Sequence, residues 1–170
     1  MTDLRGVLVI TDLDGTLLDH ETYAWADAAP ALDLLRASGA GLILASSKTA
    51  AEIAPLRDEI GFAGWPSIVE NGSGLFEPGH DLSDENDTYL KLRKTIKSLP
   101  DGFRGFGDMT DDEVAARTGL PHSAASRARA RQFSEPGRWT GSPDSLITFL
   151  EAAKEASLVA QQGGRFLSMS

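Results

Sequence analysis

Three short apolar runs, VLVIT at 7–11, GLILA at 41–45 and PSIV at 66–69, alternate with stretches of helical periodicity, and each run stops at a polar loop. Short β-branched runs bounded by turn residues fit strands covered on both faces of a parallel sheet. The intervening segments supply the crossovers. From Tyr23 to Ser38, residues Trp25, Ala28, Leu32 and Leu35 share one helical face, and Gly39 offers a left-handed stop. After the second run, Thr49 and Glu52 have capping-box spacing, Ile53, Leu56 and Ile60 continue an apolar face, and Gly61 ends it. Residues 73–76 fit a hairpin or edge strand. This alternation predicts an α/β fold, a Rossmann-like doubly wound parallel sheet whose functional residues gather beyond the carboxyl ends of the strands. The loops DLDGT, SSKT and ENG all lie there.

The character of the chain changes at 77–87, EPGHDLSDEND, an acidic, turn-rich stretch with the look of a linker. Beyond it the pattern predicts a helix over 90–99, a short strand over 102–106, a capped helix from Thr110 to Thr118 and a basic helix carrying Arg127, Arg129 and Arg131. The segment FSEPGRW follows, then a helix over 142–156 with Pro143 in its first turn, and a terminal strand-turn-strand in LVAQQGGRFLSM. That order is α+β.

With 16 basic against 25 acidic residues, the net charge of -9 disfavours a nonspecific nucleic-acid or anionic-membrane partner. An anionic substrate therefore needs local cations. The chain has no cysteine, which removes disulfides and thiolate metal sites, and histidines 20, 80 and 122 have no metal-ligand spacing. No apolar run approaches the roughly 20 residues needed to cross a bilayer, and the start MTDLRGVLVITD lacks the features of a secretory leader. A cytoplasmic location is expected.

Asp12 and Asp14 stand two apart where the first apolar run ends. Paired like charges repel and are costly to desolvate, so they call for a compensating cation. A carboxylate placed there can attack phosphorus and form an acyl phosphate when a divalent cation offsets the charge between it and the phosphoryl oxygens. Asp12 is the candidate nucleophile and metal ligand. Asp14 is the candidate acid for the leaving oxygen, the later base for water and a second metal ligand. Gly15 permits the tight turn and Thr16 can hydrogen-bond the loop.

With DLDGT after the first strand, the chain resembles the haloacid dehalogenase superfamily of phosphohydrolases. SSKT, ENG, GFGDMT and RQFSEP make it similar to the mannosyl-3-phosphoglycerate phosphatase branch of that superfamily. The resemblance implies a phosphatase core over 1–78, an inserted α+β cap over 79–165 and the start of a return to the core over 166–170. It implies Mg²⁺ as cofactor and a small phosphorylated sugar acid as partner, hydrolysed through an aspartyl-phosphate to mannosylglycerate and phosphate. Ser46, Ser47 and Lys48 would bind the phosphoryl group. Asn71, Asp108, Arg131, Ser134 and Glu135 would contact the rest of the substrate. Arg127 and Arg129 read as a solvated helix face, and Trp25, Trp65 and Trp139 as packing residues.

The family's later lysine and its acidic GDxxND-type loop have no counterpart after GGRFLSMS. The sequence therefore reads as the first core part plus cap of a longer phosphatase, with an incomplete sheet whose open edge invites self-association. Two alternatives stand beside the main reading: a phosphatase for another sugar phosphate or sugar-phosphoglycerate, and a truncated, catalytically silent binding module.

Overall fold

The computed structural model describes residues 4–81 and 87–170. The chain divides into two compact units, Met1–Leu82 and Ser83–Ser170. The acidic stretch read as a linker falls partly, at 82–86, outside the described residues.

In the first unit, strands β1 (Leu8–Asp12), β2 (Gly41–Ala45) and β3 (Ser67–Val69) lie parallel, and β4 (Gly74–Phe76) pairs antiparallel with β3. The order is β1-β2-β3-β4, so sequence order is spatial order. Helix α1 (Ala29–Ser38) links β1 to β2, and α2 (Ala50–Glu59) links β2 to β3. The parallel α/β arrangement expected from the sequence is present.

Local chemistry sets most of the boundaries. Gly39 adopts the left-handed conformation that ends α1 (φ 76°), and Thr49 and Glu52 form a capping box at α2. Gly41 opens β2 where an added Cβ would lie 2.5 Å from the Trp65 ring and 2.8 Å from Leu8 Cδ1. Leu13, Leu32, Leu42, Leu44, Ile53, Ile60 and Val69 are almost fully buried. The charged side chains of Arg57 and Glu70 join them. Arg57 in α2 donates to the carbonyls of Trp65 at 2.9 Å and Phe76 at 3.2 Å and stacks over the Phe76 ring. Burial pulls its pKa down from the ordinary guanidinium value.

Two expectations need correction. The first strand is not covered on both faces: it is an edge of the described sheet, and Leu8 and Ile10 are 48% and 58% exposed. The helix expected from Tyr23 starts later, with a short 3₁₀ turn at Ala26–Ala28 and then α1 with Pro30 in its first turn. Tyr23 has a φ of 56°, outside any right-handed helix.

In the second unit, β5 (Phe103–Gly105), β6 (Glu135–Trp139), β7 (Ala160–Gly163) and β8 (Phe166–Met169) form an antiparallel sheet of order β5-β6-β8-β7. Helix α3 (Asp87–Ile96) precedes β5, α4 (Asp111–Thr118) and α5 (His122–Arg129) lie between β5 and β6, and α6 (Pro143–Glu155) follows β6. One core cluster joins Leu92, Ile96, Phe149, Ala153, Leu167 and Met169; another joins Phe106, Met109, Val114 and Ala125. Residues 166–170, read in the sequence as a return toward the first unit, instead contribute β8, whose neighbours are β6 and β7. The hairpin register with β7 fixes them there, with Leu167 and Met169 buried.

Candidate active site

Alternation at the end of β1 builds the first wall of the site. Leu13 is fully buried, so the flanking side chains of Asp12 and Asp14 face outward and both are exposed. The loop closes at once. Leu18 donates to the Leu13 carbonyl at 2.8 Å, Gly15 donates to Leu18 at 3.0 Å, and Gly15 takes a φ of 74° that favours glycine. Buried Leu13 and Leu18 thus pin a turn whose polar members point away from the core.

The second wall begins where β2 ends. Ser46 is buried, its N–H donates to the Ile68 carbonyl at 3.0 Å, and its hydroxyl oxygen accepts from the Lys48 N–H at 3.2 Å. The hydroxyl hydrogen can still serve as a donor. Ser47 is exposed. Thr49 is fully buried as the α2 cap.

The third loop is stitched to the second. The Glu70 N–H donates to the Lys48 carbonyl and the Asn71 N–H to the Ser46 carbonyl, each at 3.0 Å. Reaching both acceptors takes three successive left-handed residues, Glu70 (φ 54°), Asn71 (φ 59°) and Gly72 (φ 86°). Such a conformation costs roughly 1–2 kcal/mol at an ordinary residue and less at asparagine. Glu70 is fully buried while Asn71 is exposed, so the turn presents the amide and hides the carboxylate.

Lys48 joins the first two walls. Its Nζ lies 2.6 Å from both carboxylate oxygens of Asp14, across 34 residues of sequence, and 5.7 Å from the Tyr23 ring centroid. Asp14, Ser46, Ser47, Lys48 and Asn71 therefore belong to one connected set of loops, with Asp12 two residues before Asp14. Sequence reasoning placed Lys48 on a phosphoryl group and did not see its pairing with Asp14. Tyr23 was passed over as a helical residue.

Asp12 and Asp14 are hard oxygen donors suited to a small dication that keeps several waters. Among the described residues no group of three or more His, Cys, Asp or Glu side chains converges on one point. The donor set fits such an ion only in part, and Asp14's side-chain oxygens already face Lys48.

In the second unit two of the expected substrate residues, Asp108 and Glu135, meet on one arginine. Arg93 reaches Asp108 with both terminal nitrogens, at 2.5 and 3.1 Å, and Asp108 also accepts from the Gly105 N–H at 3.1 Å. This guanidinium holds the Asp108 carboxyl below its ordinary pKa. Glu135 is fully buried. It accepts from the Tyr89 hydroxyl at 2.5 Å and the Gly107 N–H at 2.8 Å, with Arg93 at 3.5 Å. Burial nevertheless pushes its carboxyl pKa up, and burial followed by the Glu135 charge raises that of Tyr89 well beyond the ordinary phenol value. Glycine is needed twice here. An added Cβ at Gly105 would lie 2.2 Å from Glu135 Oε1, and one at Gly107 would lie 2.8 Å from both the Arg93 guanidinium carbon and the Tyr89 oxygen. Much of the GFGDMT and RQFSEP patterning thus serves a mutual lock. Ser134 is buried beside Glu135, and Arg131 is half-buried. Arg129, read as solvated, pairs with Asp111 and donates to the Phe106 carbonyl at 3.3 Å. Tyr89 and Arg93 went unmarked in the sequence, where they read as ordinary members of an amphipathic helix.

Comparison with known proteins adds to this geometry. A family model described as haloacid dehalogenase-like hydrolase matches residues 9–115. A glucosyl-3-phosphoglycerate/mannosyl-3-phosphoglycerate phosphatase of Persephonella marina is 34% identical over 94% of the chain, and one of Methanococcoides burtonii is 33% identical over the same share. The chain spans 65% of the length of each. Among solved structures, a haloacid dehalogenase-like hydrolase from Bacteroides thetaiotaomicron superposes with a TM-score of 0.60 at 16% identity, covering 96% of this chain and 70% of its own. The sucrose-phosphatase of a Synechocystis species superposes with a TM-score of 0.52 at 14% identity, covering 98% and 64%. At these identities the likeness concerns the fold.

Proposed function

The chain belongs to the haloacid dehalogenase-like hydrolases, and from that premise we propose that it is, or forms part of, a phosphomonoesterase acting on mannosyl-3-phosphoglycerate, with glucosyl-3-phosphoglycerate as a companion substrate. The names of the two relatives support the substrate class. The observation that carries the reading is the outward pair Asp12 and Asp14 astride buried Leu13, beside the stitched Ser46 and Asn71 loops.

In this reading the Asp12 carboxylate attacks phosphorus and forms an acyl phosphate as the sugar-acid oxygen departs. Asp14 gives that oxygen its proton, then takes one from the water that hydrolyses the acyl phosphate. The Ser46 hydroxyl, with Ser47 and Lys48, holds the phosphoryl oxygens. Mg²⁺, when bound, offsets the negative charge between nucleophile and ester. The Asp12 carboxylate and the main-chain carbonyl of Asp14 would hold it. The second unit acts as the cap, with Arg131, Asp108, Ser134 and Glu135 as its candidates for substrate recognition, and Asn71 is the candidate on the first unit.

Incubating the 170-residue chain with mannosyl-3-phosphoglycerate and Mg²⁺ should release inorganic phosphate, and Asp12→Asn should abolish that release. Undiminished turnover in Asp12→Asn would remove the mechanism. The Lys48 ammonium seated on both oxygens of Asp14 favours a second reading, a module that binds phosphate without turnover. Phosphate binding with no release from the ester would select it.

A further inference from the structure

Lys48 stands between two duties. Its ammonium sits evenly on both oxygens of Asp14, and while it stays there it neither holds a phosphoryl group nor leaves Asp14 free to face a leaving oxygen. We propose that Lys48 is an exchanging counter-ion: it occupies Asp14 when the site has no ester, and an entering phosphomonoester dianion draws it away, so that substrate arrival releases Asp14. The inference rests on the phosphatase reading and adds a positioning role to it.

Three features of the loops carry the argument. First, the main chain of Lys48 is fixed at both ends, its N–H to Ser46 Oγ at 3.2 Å and its carbonyl to the Glu70 N–H at 3.0 Å. Only the flexible side chain is left to move. Second, the ion pair is partly exposed, at 23% for the lysine and 41% for the aspartate. Pairs in such settings are weak, whereas a doubly charged phosphoryl group beside the Ser46 hydroxyl offers the ammonium more charge and more acceptors. Third, the Tyr23 ring lies 5.7 Å from Nζ and is presented by a residue locked at a φ of 56°. An aromatic face there keeps a favourable contact for a cation that has left its carboxylate.

The test is the binding of inorganic phosphate to the 170-residue chain, followed by ³¹P NMR and calorimetry in a double-mutant cycle. Lys48→Met should weaken binding about tenfold and Lys48→Arg should restore it to within about threefold, since a phosphate contact depends on the cation. Asp14→Asn should tighten binding about fivefold while Lys48 is present and by less than about twofold in the Lys48→Met background, because only the first case removes a competing partner. The side-chain ¹⁵N resonance of Lys48 should move on adding phosphate and also in Asp14→Asn alone, a signature that a purely structural lysine would not give. Equal tightening by Asp14→Asn in both backgrounds would overturn the exchange and leave the phosphatase reading standing. If no variant binds phosphate, both fall.

Discussion

The Tyr89 hydroxyl donates to the Glu135 carboxylate at 2.5 Å across 46 residues of sequence, joining α3 to the first residue of β6. A fully buried carboxylate retained this way depends on each of its donors. Tyr89→Phe should destabilise the second unit by about 1–2 kcal/mol, because one buried acceptor loses its partner. Urea unfolding followed by tryptophan fluorescence would measure it.

The same carboxylate predicts a pH dependence. Burial holds the Glu135 pKa above its ordinary value, so the folded state binds that proton more tightly than the unfolded chain does. Its contribution to stability is then fullest at acid pH and declines as pH rises from the ordinary carboxylate range through the raised folded value. Glu135→Gln should lack this decline, and unfolding curves taken across that window for both proteins should converge or diverge accordingly.

Arg93 answers two carboxylates, Asp108 and Glu135, with a side chain only 13% exposed. Arg93→Met should cost about 3 kcal/mol, since it removes the guanidinium that faces the buried Glu135 charge. The lowered Asp108 pKa gives the opposite pH sign from Glu135: its stabilisation is present above the ordinary carboxylate value and lost as pH falls through the lowered one. That acid-side loss should be smaller in Arg93→Met, where the Gly105 N–H still donates to Asp108.

Gly105→Ala places a methyl group where Glu135 Oε1 now stands, 2.2 Å from the new carbon. The carboxylate must move from its donors, and a loss of about 2–3 kcal/mol is expected from overpacking a buried polar site. A matched Gly64→Ala, where an added Cβ meets nothing within 4 Å, should change stability little. Thermal unfolding of the pair separates the local clash from a general glycine effect.

The β1 edge leaves Val7, Leu8 and Ile10 exposed at 43%, 48% and 58%. An apolar edge strand is a template for pairing with another chain. Replacing Leu8 and Ile10 together by Lys should lower concentration-dependent association, and sedimentation velocity over a range of protein concentrations would register it. Association unchanged by the substitutions would place the contact elsewhere.

What could be read from the sequence was mostly what neighbours in the chain decide. The capping boxes Thr49/Glu52 and Thr110/Glu113 and the left-handed stop at Gly39 depend on a few adjacent residues, and each is present. The polar loop ends of DLDGT, SSKT and ENG followed from the apolar runs before them. Strand β6 escaped notice because Pro136-Gly137 looks like a turn. Its conformation is set instead by β5, where an added Cβ on Gly137 would strike the Arg104 carbonyl at 2.6 Å and the Phe103 ring at 2.5 Å. Arg57 was indistinguishable from a solvated helix residue until the Trp65 and Phe76 carbonyls came to it. The Lys48 to Asp14 contact likewise needs the β1-β2 pairing, which no spacing encodes.

The amides of Glu70 and Asn71 terminate on the carbonyls of Lys48 and Ser46, so neither loop owns its shape. Anyone grafting this site onto another scaffold would have to transplant both segments together with the left-handed turn. A donor fragment carrying SSKT alone would arrive with two unsatisfied acceptors and no template for its lysine.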